Sequence, residues 1–230
     1  MTPPYVRTDG RVSYFLADGS EVGREWFSLH RHAQGRLVRA TCEMNENALI
    51  RDAVWSLDSD WRPVDGYVHV MLDGRSAGST WYAFDGPLVS CHARTPKYGT
   101  VTQARTSDRP YEFLGLHPLI CDGLVTAVRG TDKPGEERWI NSITCSYAHD
   151  GATDLLALPI VIGVAYHGVE RLVVKAGEFE ARRYSVRWRE GLSAATYWVW
   201  GDDYVFLKST WDSSQLTCEL TSMEITSQHS

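Results

Sequence analysis

With 230 residues, the chain can bury a substantial core, and all-β barrels of this size commonly form a single domain. A formal net charge of −6 disfavours nucleic acid or an anionic membrane surface as partner. No apolar run approaches the length of a membrane span, and the opening MTPPYVRTDG lacks a signal peptide's basic start and hydrophobic stretch, so a cytoplasmic location is expected.

In chain order, Arg11 to Thr106 reads as a meander of about eight strands separated by turn residues. Arg11–Leu16 leads through Ala17-Asp18-Gly19-Ser20 into the long strand Glu21–His32. Arg36–Met44 and Ala48–Asp58 follow. Gly66–Leu72 meets Asp73-Gly74, a hairpin signal because both residues tolerate positive φ. Ala77–Phe84, Leu88–Arg94 and Gly99–Arg105 complete the run. Short, sequential connections predict antiparallel neighbours. Alternation along Glu21–His32 puts Val22, Arg24, Trp26, Ser28, His30 and His32 on one face and Gly23, Glu25, Phe27, Leu29 and Arg31 on the other. Neither face is cleanly apolar, which suits a barrel with a partly polar interior better than a simple sandwich.

Between Tyr111 and Arg129 the alternation stops. Leu116, Leu119, Ile120, Leu124 and Val128 recur mostly at three- and four-residue steps, predicting a helix over about 116–129 with Pro118 in its first turn. A helix inside a β chain plugs or caps something, and here it is expected to cap a barrel. A charged loop, Thr131 to Glu137, precedes a second strand run: Arg138–Tyr147, Ile160–His167, Arg171–Lys175, Glu178–Arg189, Ala194–Trp200, Tyr204–Asp212 and Gln215–Ile225. The segment His149–Ala157 reads as a short helix or a loop. The expected fold is all-β: one antiparallel meander barrel or half-barrel, lipocalin-like, spanning residues 1–230 with one central helix.

The leading candidate site is His117 with Asp122: a histidine moves protons near neutral pH, and a carboxylate within reach orients its ring. Five residues apart on one helix, however, the two do not face each other squarely. Expected ligand-lining residues are His69, Tyr82, His92 and Arg94 on neighbouring strands of the first run, and Arg183, Tyr184 and Trp198 near the carboxy terminus, where aromatic rings beside a guanidinium seat a flat ligand or a carboxylate. Cys42, Cys91, Cys121, Cys145 and Cys218 are dispersed without a CxxC step and read as five reduced thiols, with Cys121 beside Asp122. His30-Arg31-His32 is the single HxH pair and supplies too few ligands for a metal site, so no metal or other cofactor is expected. The chain has no Gly-rich phosphate loop, no GxSxG elbow and no HExxH, which disfavours phosphoryl transfer, dinucleotide redox chemistry and serine hydrolysis.

The run Val174-Lys175-Ala176-Gly177-Glu178-Phe179-Glu180-Ala181-Arg182-Arg183-Tyr184, the strand Tyr197-Trp198-Val199-Trp200 and the pair Val205-Phe206-Leu207-Lys208 and Leu216-Thr217-Cys218-Glu219-Leu220 resemble the DUF3108 group of bacterial β-proteins of unassigned function. The resemblance covers about a quarter of the chain. It implies a partly closed antiparallel barrel of the kind seen in lipoprotein carriers, implies no reaction, and is shared with proteins that are often exported.

Two functions follow as expectations. The first is a cofactor-independent enzyme that moves protons on a small hydrophobic or aromatic substrate, as a lyase, hydratase or isomerase does, with His117 and Asp122 as acid and base. The alternative is a non-catalytic binding protein for a lipid-like or aromatic small molecule. Self-association as a homodimer is compatible with either.

Overall fold

Alternating apolar side chains build one large, curled sheet whose inner face is the core. The computed structural model describes residues 5–212 and 216–228, and among these it shows fifteen strands and one α-helix. The first run is β1 (Tyr5–Phe15), β2 (Glu21–His32), β3 (Gly35–Met44), β4 (Leu49–Asp58), β5 (Pro63–Leu72), β6 (Arg75–Asp85), β7 (Leu88–Thr95) and β8 (Gly99–Thr106). The short strand β9 (Phe113–Gly115) and helix α1 (Leu119–Arg129) follow. The second run is β10 (Glu137–Thr144), β11 (Leu158–Val174), β12 (Gly177–Arg187), β13 (Ala195–Trp200), β14 (Val205–Trp211) and β15 (Leu216–Gln228).

Within each run, neighbours in sequence are neighbours in the sheet, and the two runs join where β1 pairs with β15. All pairings are antiparallel except β9 with β10, which is parallel. The two ends of the sheet, β8 and β9, are not hydrogen-bonded to each other, so the barrel is open along one seam. Loops and side chains fill it. Asn141 Nδ2 donates to Ser107 Oγ and to the Arg109 and Pro110 carbonyls at 3.0–3.1 Å. The Ala157 N–H donates to Gln103 Oε1 at 3.0 Å, and Tyr98 Oη donates to Asp154 at 2.8 Å.

The fold is thus all-β with one helix, as expected, with local differences that have physical causes. Helix α1 starts at Leu119, later than 116, because Pro118 is extended (φ −61°, ψ 138°). The separate strands expected at 160–167 and 171–175 are one strand, β11, broken in register at a bulge where Gly168 takes φ +113°. Residues 149–157 form a loop without a helix. They pack into the barrel, burying Ala152, Leu155 and Ala157, and Thr80 and Tyr82 hydroxyls donate to the Leu155 and Leu156 carbonyls.

Candidate functional site

Helix α1 enters the barrel without a side chain of its own to cap its first amides. The cap comes from β2. Glu25, fully buried, accepts from the Leu119 and Ile120 N–H groups at 2.8 Å each, one per carboxylate oxygen. Tyr14 Oη adds a third donor at 3.0 Å and the Cys42 thiol a fourth at 3.5 Å. A carboxylate suits the positive end of a helix. Burial nevertheless raises the Glu25 carboxyl above its ordinary range, outweighing the four donors that pull it down.

Around this pin lie groups that are less well matched. Arg51 projects from the inner face of β4, between Leu49 and Ala53, and is 4% exposed. One terminal nitrogen donates to the Asp150 carbonyl, while its Nε has no partner. Asp122 on α1 makes no ion pair and no side-chain hydrogen bond among the described residues, and it keeps some accessible surface. Burial, reinforced by Glu25 and opposed by Arg51, pushes its carboxyl up to about 8. Tyr197 and the thiols of Cys42 and Cys145 feel the same acidic neighbourhood, and burial raises all three.

His117 turns the chain from β9 into α1 with φ +75°, a left-handed conformation that costs a β-carbon residue about 1–3 kcal/mol. Its Nε2 lies 3.2 Å from the Ser146 carbonyl. A carbonyl only accepts, so Nε2 carries the proton. Burial, and then the positive charge of Arg51, drop the imidazolium to about 3. Gly151, at φ +63°, lets the 149–157 loop close over both groups: a β-carbon there would stand 2.4 Å from the His117 ring and 2.6 Å from Arg51.

The expected His117–Asp122 pair does not form. Arg51 acts electrostatically on both, whereas the remaining charged neighbours of His117 are Asp150 and His149 and that of Asp122 is Glu25. The other expected residues divide by face. Tyr82 and Tyr184 point inward and are fully buried, their hydroxyls donating to the Leu156 and Gly130 carbonyls at 3.0 and 3.2 Å. His69, His92 and Arg94 point outward and line no interior. They alternate with Val68, Val70, Cys91 and Ala93, which take the inner face because apolar burial dominates. Arg183 and Trp198 are also on the outside, both held by Glu170, at 3.6 Å and 2.6 Å. His30 and His32 flank Tyr5 on the outer wall, and no group of three metal-ligating side chains occurs among the described residues.

Glu25 and Arg51 were not singled out from the sequence, although a signal existed. Arg51 is the one charge in the inward set Leu49-Arg51-Ala53-Trp55-Leu57, and Glu25 sits between Gly23, Phe27 and Leu29 on a face whose other charges, Arg31 among them, lie at the strand ends.

No protein-family model and no curated protein matches the chain. Among solved structures it is similar to a β-barrel-like protein of the domain of unknown function DUF1849 from Brucella abortus, with TM-score 0.57, 10% identity and 98% of each chain covered. It is similar more distantly to a DUF1089 family protein from Pseudomonas aeruginosa, with TM-score 0.46, 12% identity, 80% of this chain and 87% of that one. A protein with a YmcC-like fold from Bacteroides fragilis gives TM-score 0.33 at 8% identity over 97% of this chain and 96% of that one. The first likeness supports a barrel-like fold and nothing about reaction or ligand.

Proposed function

We propose that the protein binds a small amphipathic molecule inside the barrel, its apolar body among the core side chains and an acidic head on Arg51. The observation that carries this reading is the buried guanidinium with an unpartnered Nε, close enough to Asp122 to perturb it yet not paired with it. A buried charge left uncompensated is costly, and a planar fork with a free N–H is the group that matches a carboxylate. The alternative ligand acceptor, Asp122 itself, is mostly protonated below its value of about 8 and competes weakly for the fork. Five free, buried thiols are in keeping with a reducing compartment, and the resemblance of the carboxy-terminal strands to the DUF3108 group is in keeping with a carrier-like barrel.

The test is displacement of a fluorescent apolar probe, anilinonaphthalene sulfonate, by decanoate and by decanol. Decanoate should compete about tenfold better than decanol, and Arg51→Met should abolish that preference. Failure of both to compete would end the binding reading.

One observation favours a catalytic second reading. A carboxylic acid held near 8 is poised to donate a proton at neutral pH, so the proton-transfer lyase or isomerase activity is retained as a proposal with Asp122 as the acid. His117 fits that role poorly, because an imidazolium that forms only near pH 3 supplies no proton at neutrality.

A further inference from the structure

The outer wall of the barrel carries a concave feature unrelated to Arg51. A cleft of about 450 Å³ opens across β1 to β4, with Asp9, Trp26, Ser28, Arg39, Thr41 and Asp52 projecting around it. Trp26 is 42% exposed, and the Arg11 guanidinium lies 5.9 Å from its ring centre. Strand register continues the same wall away from the cleft: Arg39 lies opposite Val54, Val54 opposite Tyr67, Tyr67 opposite Trp81, and Trp81 opposite His92. Tyr67 and Trp81 are 40% and 43% exposed, and the Trp81 and His92 rings stack at 5.8 Å. An exposed row of aromatic rings leading into a polar cleft is not needed by the core.

Charge in the cleft decides the ligand class. Asp9 is neutralised by Arg7 at 2.8 Å, and it also accepts from the Ser28 hydroxyl at 2.5 Å. Asp52 accepts only from Thr41, at 2.8 Å, and Arg39 makes no ion pair among the described residues. One open carboxylate and one open guanidinium remain, so the cleft is balanced and favours neither an anion nor a cation. It offers planar donors and acceptors beside an aromatic face. A molecule rich in hydroxyls, each both donor and acceptor, satisfies all of these at once, and its C–H faces stack on the rings. A flat protein surface would bury Arg39 and Asp52 without matching partners, at a cost.

We propose that the cleft and its aromatic extension bind an uncharged oligosaccharide laid across the strands. From Trp26 on β2 to His92 on β7 the site crosses five strand spacings, roughly 24 Å, or about five sugar rings. The experiment uses the full chain with cellohexaose, xylohexaose and chitohexaose, read by tryptophan fluorescence and by saturation-transfer NMR. At least one should bind with a dissociation constant at or below about 1 mM. Trp26→Ala should weaken it about tenfold or more, and Asp52→Asn should weaken it as well. Trp200→Ala, on the far run of strands, should leave it unchanged, and thermal melts should show each variant folded. No binding by any of the three at roughly 5 mM overturns the proposal, as does normal binding by a folded Trp26→Ala. A dimer in sedimentation that Trp26→Ala or Trp81→Ala dissociates, without saccharide binding, also overturns it and assigns the face to self-association.

Discussion

Asp122 and His117 impose opposite pH dependences on stability. Raised from an ordinary 3.8 to about 8, the Asp122 carboxyl keeps its proton in the folded chain after the unfolded chain has lost it. Stability therefore falls as pH rises across that window. The His117 imidazole, depressed from 6.5 to about 3, refuses a proton that the unfolded chain accepts, so stability is lost as pH falls between those values. The two slopes offset each other in the overlap and leave Asp122 to govern the range above pH 6.5. Asp122→Asn is expected to gain stability over the parent as pH rises from 6.5 to 8. At about 1.4 kcal/mol per unit, the gain over that range is limited to about 2 kcal/mol and is reduced by the accessible surface Asp122 retains. Urea midpoints at pH 5, 6.5 and 8 measure it, and parallel curves for the two proteins would contradict it. A group that destabilises its own fold at working pH suggests a use. Asp122 and His117 are legible in the sequence as a carboxylate and a histidine on the one helical stretch of a β chain. Glu25 and Arg51 are not, because strand charges default to solvent, and with charged residues on both faces of Glu21–His32 the alternation does not say which face turns inward.

Helix α1 is held in place at both ends by hydrogen bonds to groups outside the helix. Its amino end sits on Glu25, and at its carboxy end Arg129, 3% exposed, donates to the carbonyls of Val164, Lys133 and Glu136 at 2.9–3.2 Å. Glu25→Gln turns one of two acceptors into a donor facing the helix amides. It should destabilise the protein by about 1–3 kcal/mol, read as a lower urea midpoint with an unchanged slope. Mid-helix, Gly123 lies against Phe206, where an added β-carbon would stand 3.4 Å from the nearest side-chain atom, an ordinary contact. Alanine is favoured over glycine in a helix by about 1 kcal/mol, so Gly123→Ala should raise stability by up to that amount. Gly123→Val, whose added methyls must displace Phe206, should lower it. A melt of Gly123→Ala below that of the parent would show that the Phe206 contact is tighter than it stands. The helix itself was legible from its three- and four-residue spacing. Strand β9, only three residues long, was not, since so short a segment shows no alternation to detect.

At the scale of the molecule, the two runs of strands meet along a single ladder. Every other strand pairing joins elements close in sequence, whereas β1 and β15 bring Tyr5–Phe15 against Thr217–Gln228. Sequential pairings follow directly from turn signals and strand lengths, which is why most of the sheet could be anticipated. The closing ladder could not, because nothing local marks a pairing of chain ends. It also buries the residues that tie the plug to the wall: Tyr14, on β1, donates to Glu25, and Cys218 and Leu220, on β15, are buried beside them in the core. Removing β15 by ending the chain at Asp212 should therefore cost far more than one edge strand. It leaves both β1 and β14 unpaired on one side and opens the core between the runs. The truncated chain is expected to lose its cooperative thermal transition, by circular dichroism and tryptophan fluorescence together. A synthetic peptide of residues 213–230 should restore that transition by strand addition, because the missing register is continuous with β1 on one side and β14 on the other. If the truncated chain melts cooperatively near the parent temperature, the two runs are held together by the helix and loops instead, and β15 is an accessory strand.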